Sequence, residues 1–533
     1  MKTTLLFLAL GAFTANAQIM VKDINPGSPT GEPLQFAKLG STLLFSADDG
    51  IHGPELWKSD GTETGTVMVK DINVGPAASS IFGMVATDDA VYFRAEDGIN
   101  GIELWKSDGT EAGTFMVKDI FEGSVGSYPI GFFKANGIVY FTAKASASQG
   151  AELWKTDGTT AGTVLLKDIG LYNDSNPSNY ILFGNSVFFT ATSFQEGNEL
   201  WKTDGTTAGT MLLKDIRPGQ DSSQSSGYTI FQNKLFFTAN DGVTGFELWQ
   251  SDGTTEGTVL FTDLNPGIAP SYARIVAQLN GNIILTAETG TIGRELFISD
   301  GTVLGTQLLK DIHPATGNLM GNFTVVGNNL YFYANDGTNG SEIWITNGTT
   351  VGTVMLKDIN PGANTGDTYP QTFTAVNDLL YFVADNGTNG KELWKTDGTT
   401  IGTQLVSDIF IGSSPSTPSS LLNINGTLFF AADDGISGRE LWKIGDDLST
   451  TTVIAASVSL SPNPSSNFIT ITTQDTLFDS IEVIDMAGRG IAKQHFTAST
   501  EFELTTSELP KGIYLLKIMS SNSIVAAKRM LKL

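Results

Sequence analysis

Acidic side chains in glycine turns are the residues of this chain whose type and spacing could do chemistry. Asp48-Asp49-Gly50 is followed by Gly53, Glu96-Asp97-Gly98 by Gly101, Asp241-Gly242 by Gly245, and Asp433-Asp434-Gly435 by Gly438, with Asp336 heading another such turn. Carboxylates and carbonyls gathered in a tight loop are the donors a hard cation takes, and calcium needs roughly six to eight of them. Each turn offers one or two carboxylates, and none follows the D-x-[DN]-x-[DN]-G spacing of an EF-hand. Calcium is therefore a cofactor these turns could hold, weighed against plain glycine turns with solvated acids; no other cofactor is indicated.

The remaining chemistry is narrowed by what the chain lacks. It has no cysteine and three widely separated histidines, His52, His313 and His495. Thiolate zinc sites, disulfides and cysteine nucleophiles are excluded, and a multi-histidine metal site is not expected. His52 reads as a solvated loop residue. There is no G-x-S-x-G elbow, H-E-x-x-H, P-loop or dinucleotide fingerprint, so no catalytic residue is assigned. Paired acids for glycoside hydrolysis stay open, because acids abound and geometry is invisible in a sequence. A formal charge of −25 argues against a nucleic-acid partner, which would require clustered Lys and Arg.

The elements that position these acids are repeats. Residues 55–72 read ELWKSDGTETGTVMVKDI, and the pattern returns through the first four-fifths of the chain. Its aromatic slot is Trp57, Trp105, Trp154, Trp201, Trp249, Phe297, Trp344, Trp394 and Trp442, at intervals of 47 to 50 residues. Each unit holds four short β-branched and aromatic runs broken by turn residues, the signature of strands. Four antiparallel strands in such a length make one propeller blade. Neighbouring residues such as Leu56 and Trp57 point to opposite faces, so the sheets are expected to be covered on both. The expected fold is all-β: a β-propeller of about nine four-stranded blades over residues 18–445.

The KDI run is expected at the rim, where its charges discourage edge pairing, and the glutamate before Leu-Trp (Glu55, Glu103, Glu152) is expected to pair with a nearby lysine. The chain after residue 20 opens on a KDI strand without an ELW partner, and the ninth unit ends without one of its own. The N-terminal strand could therefore close the ring, with Thr451–Ala456 as competitor for the slot. Hairpins alternate sides, so the acidic turns share a face with the blade-to-blade crossovers, and the DGTxxGT turns lie opposite. The uniform DGTxxGT turns read as structural, with Asp60 and Thr62 bonding local backbone. The crossover face varies most, so recognition is expected there. Units three and four, which replace the acidic turn by Ser146–Gly150 and Ser193–Gly197, are the first place to look.

Residues 1–17 read as a secretory signal peptide: Lys2, an apolar run from Leu5 to Phe13, and an A-x-A site that places cleavage between Ala17 and Gln18. No later run is long and apolar enough to span a bilayer. Composition shifts after Trp442, so 446–458 read as a linker and 459–533 as a small β-sandwich with an Ig-like pattern.

Two resemblances follow. The motif over about residues 20–445 resembles the bacterial ELWxxDGT repeat proteins, sometimes called hyalin-like, which bring no assigned activity. The C-terminal segment resembles the type A sorting domain of the type IX secretion system of Bacteroidetes. Its landmarks are Pro462-Asn463-Pro464, Asp485, Gly488-Arg489, Gly512, Tyr514 and Lys528-Arg529. That resemblance implies the secretion machinery as partner and a place outside the cell or on its outer surface. The expected function is non-catalytic binding or adhesion to a glycan or extracellular protein. A polysaccharide-acting enzyme and a purely structural surface protein are the alternatives.

Overall fold

The structure, a computed structural model, describes residues 18–532 except 28, 172, 315–318, 363–369, 446–457, 464, 474–476, 486–489 and 521–522. The expected signal segment with Ala17, the Thr451–Ala456 competitor, Pro464, Gly488 and Arg489 lie outside the described residues. The chain divides into two compact units, Met1–Leu448 and Ser449–Leu533. The described residues form strands and turns, without helices.

In the first unit the strands build nine four-stranded antiparallel sheets of propeller-blade type. Unit one runs Leu34–Leu39, Thr42–Asp48, Pro54–Ser59 and Val67–Lys70, adjacent in that order. Its second strand shows why such sheets pack on both faces: Leu43, Leu44 and Phe45 are consecutive, and all three are fully buried. Leu44 and Leu56 share a core with Val91, Phe93 and Trp105 of unit two. On the other side Leu43, Phe45 and Trp57 share one with Ile424, Phe429 and Leu441 of unit nine. Eight of the nine aromatic-slot residues are buried, Phe297 among them, and Trp442 is partly buried. The ninth sheet takes Gln18–Lys22 as its outer strand, with Gln18 opposite Ile444 and Met20 opposite Trp442. The first strands of successive sheets touch in order, and Leu34–Leu39 also touches Ser419–Ile424.

The DGTxxGT turn is a closed hydrogen-bond circuit. In unit two, Asp108 Oδ1 accepts from the Thr110 amide at 2.8 Å and its hydroxyl at 2.6 Å. Thr110 Oγ1 accepts from Gly113 N, and Thr114 Oγ1 donates to Thr110 O at 2.7 Å. The second glycine is required by space, since a Cβ on Gly113 would lie 2.0 Å from Asp108 Oδ1. Gly113→Ala is expected to cost about 1–3 kcal/mol by forced displacement, read by urea unfolding against wild type.

The lysines of the repeat join units to one another. Lys70 Nζ donates to Thr114 O of unit two at 2.8 Å, and Lys118 Nζ to Thr163 O of unit three at 2.8 Å. Lys58 Nζ reaches Gly109 O at 2.8 Å. Lys70 therefore serves as more than a rim charge: it satisfies a carbonyl that the next turn leaves open.

The second unit contains a three-stranded sheet (Val458–Ser461, Phe468–Thr473, Glu501–Thr505) and a four-stranded one. The latter runs Gly490–Ser499, Phe478–Asp485, Gly512–Ser520 and Ser523–Lys532 in spatial order. Ile469, Ile471 and Leu504 from the first sheet meet Ile481, Val483, Leu516 and Ile518 from the second in one core.

Candidate functional site

The acidic turns spend their oxygens on their own backbone. Asp49 Oδ1 accepts from the amides of Ile51 and His52, each at 2.9 Å, and Asp48 Oδ1 from Gly50 N at 2.7 Å. Asp97, Asp241, Asp336 and Asp434 repeat the arrangement, and Asp433 accepts from Gly435 N as Asp48 does from Gly50. Glu96 receives no such amide; its own N–H donates to Ser79 O. His52 is tied in as well: Nδ1 lies 2.8 Å from Asp49 Oδ2, and that carboxylate raises the imidazole pKa. Among the described residues no three His, Asp or Glu side chains gather to hold a metal ion.

The recurrent glutamate differs from expectation. It is buried, and in Glu55, Glu103 and Glu152 it forms no ion pair with a lysine among the described residues; it accepts from the crossover that follows its strand. Glu103 receives Ile120 N at 3.0 Å, Phe121 N at 3.2 Å, Ser127 N at 2.7 Å and Ser127 Oγ at 2.5 Å. Glu199, Glu247 and Glu392 hold Ser223, Ser271 and Ser416 in the same way. Burial pushes the carboxyls of Glu55, Glu199, Glu342 and Glu440 up to about 7. These serines are buried bricks inside the crossovers that vary most in sequence.

Immediately after each pinned serine the backbone turns left-handed on a residue that differs between units. The series includes Ser80, Tyr128, Asn176, Gln224, Tyr272 and Thr417. Non-glycine residues held at positive φ are strained, and strain of this kind collects at functional sites. The acidic turns lie close by, as expected: a Cβ on Gly53 would touch Pro76 and Ala77 of the crossover.

Unit six breaks the pattern. In eight units the first strand carries a two-residue bulge whose first member is left-handed, as at Gln35, Asn179, Asn322 and Thr372. Unit six has Ile275 there, paired with Leu285 and buried, and only Val276 is skipped. The bulge's second residue is elsewhere mostly aromatic, as at Phe36, Phe132, Tyr180, Tyr228, Phe323 and Phe373. Here it is valine.

A cavity of about 590 Å³ opens at this place, lined from units five, six and seven. Its charged lining groups are Arg274 and Arg294. Arg294 donates to Glu288 Oε1 at 2.9 Å and lies 5.9 Å from the Tyr272 ring centre. Tyr272 in turn stacks on Phe246 at 5.7 Å and 19°. Units three and four, expected to carry the site, contribute no strand residue to this cavity. What sequence reading missed was Arg274, Arg294 and Tyr272; the signal available was unit six, the one unit with Phe in the tryptophan slot.

In the second unit, Tyr514 is buried and donates its hydroxyl to Pro510 O at 2.9 Å. It pairs with Asp485 across the sheet, Gly512 pairs with Lys532, and Lys528 and Arg529 pair with Leu516 and Leu515. Pro462 and Asn463 are exposed. Residues 459–532 match the family described as the secretion system C-terminal sorting domain. The sorting domain marks the chain for export by the type IX machinery, to the cell surface or the medium. No helix among the described residues is long and apolar enough to cross a membrane.

No curated protein matches the chain. Among solved structures it is similar to a puromycin hydrolase, at 16% identity over 69% of this chain and 61% of that one, with a TM-score of 0.36. It is also similar to one from a study of two prolyl endopeptidases (11%, 68% and 54%, TM-score 0.39). A third is a Mycobacterium tuberculosis puromycin-hydrolyzing peptidase (13%, 66% and 57%, TM-score 0.35). The chain spans less than two thirds of each of these chains.

Proposed function

We propose that this protein is an exported, non-catalytic binding module: a closed nine-bladed propeller of ELWxxDGT type carried outside the cell by its C-terminal sorting domain. The observation that carries the reading is the sorting domain at residues 459–532. A leader at 1–17, cut before Gln18, supplies the first membrane crossing, and the Ig-like C-terminal sandwich the second. Closure is supported by Gln18–Lys22 forming the outer strand of the ninth sheet and by the core shared between units nine and one. Binding rather than catalysis is supported by the crossover face. Its recurrent buried glutamates are committed to backbone amides, and its variable residues stand on rigid, strained turns.

The test has two arms. A chain lacking 459–532 is expected to stay in the periplasm, whereas the full chain reaches the surface or medium. The purified full chain, incubated with insoluble polysaccharides and with extracellular matrix proteins, is expected to be depleted from solution without producing new reducing ends. Release of reducing ends would instead make it a polysaccharide-acting enzyme. Depletion by nothing, with normal export, would leave only an assembly role.

A further inference from the structure

The cavity at unit six has a chemistry of its own, and we propose that it is a binding site for an acidic saccharide, with Arg274 the contact for the carboxylate; the proposal rests on the binding reading above. Five observations converge. The volume, about 590 Å³, lies in the usual range for ligand pockets. Both charged lining groups are arginines, whose planar fork suits bidentate carboxylate recognition. Of these, Arg294 already neutralises Glu288 and is held over Tyr272, so it shapes the wall more than it adds charge. Arg274 is exposed, lies against Gly227, where the absence of a side chain makes room for its stem, and among the described residues forms no ion pair with an acid. Arg294 Nε is buried without a hydrogen-bond partner, and a buried orphan donor of this kind asks for an acceptor.

The rest of the lining suits a sugar. Tyr272, stacked on Phe246, offers an aromatic face at the cavity wall. Gln224 brings a side-chain amide and Asn322, whose Nδ2 donates to Pro370 O at 3.1 Å, an amide oxygen, from left-handed backbone at φ 50° and 55°; Ser226 and Thr286 bring hydroxyls. Amides and hydroxyls around an aromatic face match a ligand dense in donors and acceptors. An extended peptide would instead require a row of apolar pockets for alternate side chains.

The break in the repeat explains how the site arises. With Val276, a lining residue, where most units place an aromatic ring, less side-chain volume fills this part of unit six. Arg274 stands where units one to three carry Leu34, Phe82 and Ile130 and units four, five, eight and nine carry Ser178, Ser226, Gln371 and Ser419, so the position is cationic in the unit that opened and uncharged in these.

The test is calorimetric titration of the purified full-length chain with trisaccharides of galacturonate, glucuronate, mannuronate and guluronate, beside their methyl esters. At least one free acid is expected to bind, its ester at least about tenfold more weakly. Arg274→Gln is expected to weaken the acid by at least about tenfold while leaving the ester's affinity and the melting temperature unchanged. Arg274 is exposed, so this variant keeps the fold; Arg94→Gln, in unit two, is the control and should bind as wild type. Equal affinity for acid and ester, indifferent to Arg274→Gln, would overturn the acidic assignment while leaving saccharide binding standing. Binding by none of the four acids, with insoluble matrix still depleting the protein, would overturn this site and leave the module reading intact. Failure of both would sink both.

Discussion

Replacing Glu103 by alanine is expected to destabilise the repeat unit by on the order of 3–5 kcal/mol, because it removes the one acceptor of several buried hydrogen-bond donors at once. The carboxylate is fully buried and is the acceptor for four donors: the amides of Ile120, Phe121 and Ser127 and the Ser127 hydroxyl. Alanine leaves them facing a dry hole, and each buried donor without an acceptor costs about 1–3 kcal/mol. Glutamine is hardly better, because one of its two termini is itself a donor. Ser127→Ala removes a single hydroxyl and is expected to cost only about 1 kcal/mol. Urea unfolding of the three variants would order them. A Glu103→Ala loss no larger than that of Ser127→Ala would mean that water, not the carboxylate, satisfies the crossover. The damage should also be local at first, with new protease cleavage between Phe121 and Ser127.

These same glutamates set a pH dependence opposite to that of most folded proteins. An acid whose folded pKa is raised binds its proton more tightly in the native state. Stability from it is therefore complete below the unfolded value of 4.5 and is lost as pH rises through about 7. Asp108 and Asp157 act in the other direction. Hydrogen bonds from Thr110 and Thr159 hold them below 3.8, and their contribution is lost as pH falls through that lowered range. The melting temperature should therefore peak on the acid side of neutrality, near pH 4–5, and decline toward pH 8. In Glu103→Gln the decline should be shallower by one group's share.

Much of the fold was legible because a repeat states its pattern nine times. Two-faced burial followed from adjacent apolar residues such as Leu56 and Trp57, and the DGTxxGT circuit from Asp and Thr flanking a glycine. The glutamate was misread because sequence shows charge and proximity but not depth. With a lysine near it on a neighbouring strand, Glu55 reads as half of a charge pair. In the fold its side chain points to the sheet end, where crossover amides are otherwise unsatisfied. The cavity was hidden for a different reason. Its wall comes from residues some 50 positions apart, Gln224, Tyr272 and Asn322, and only the packing of three sheets brings them together. The irregular loops of units three and four drew attention, whereas the opening came from a quieter change, valine for an aromatic residue at Val276.

Deleting residues 18–24 is expected to have the largest effect of all, on the order of 5–8 kcal/mol, because it removes the outer strand of the ninth sheet, the partner of Arg439–Ile444. The lost segment buries Val21 and Ile24 in the core shared by units nine and one, and each such side chain contributes about 1.5–3 kcal/mol. It also removes Ile24 N, which donates to Glu440 at 2.9 Å, and Lys22 Nζ, which donates to Thr66 O at 2.9 Å; hydrogen bonds of this kind contribute about 1 kcal/mol each. Arg439–Ile444 would become an exposed strand edge, a template for pairing with another chain. The truncated protein should therefore melt lower and aggregate. Hydrogen exchange should show protection lost first in Thr427–Asp433 and Arg439–Ile444. A synthetic peptide of residues 18–24 should restore part of it by strand addition. If stability were unchanged, the outer slot of unit nine would have another tenant, and the apolar run at Thr451–Ala456 is the segment to delete next.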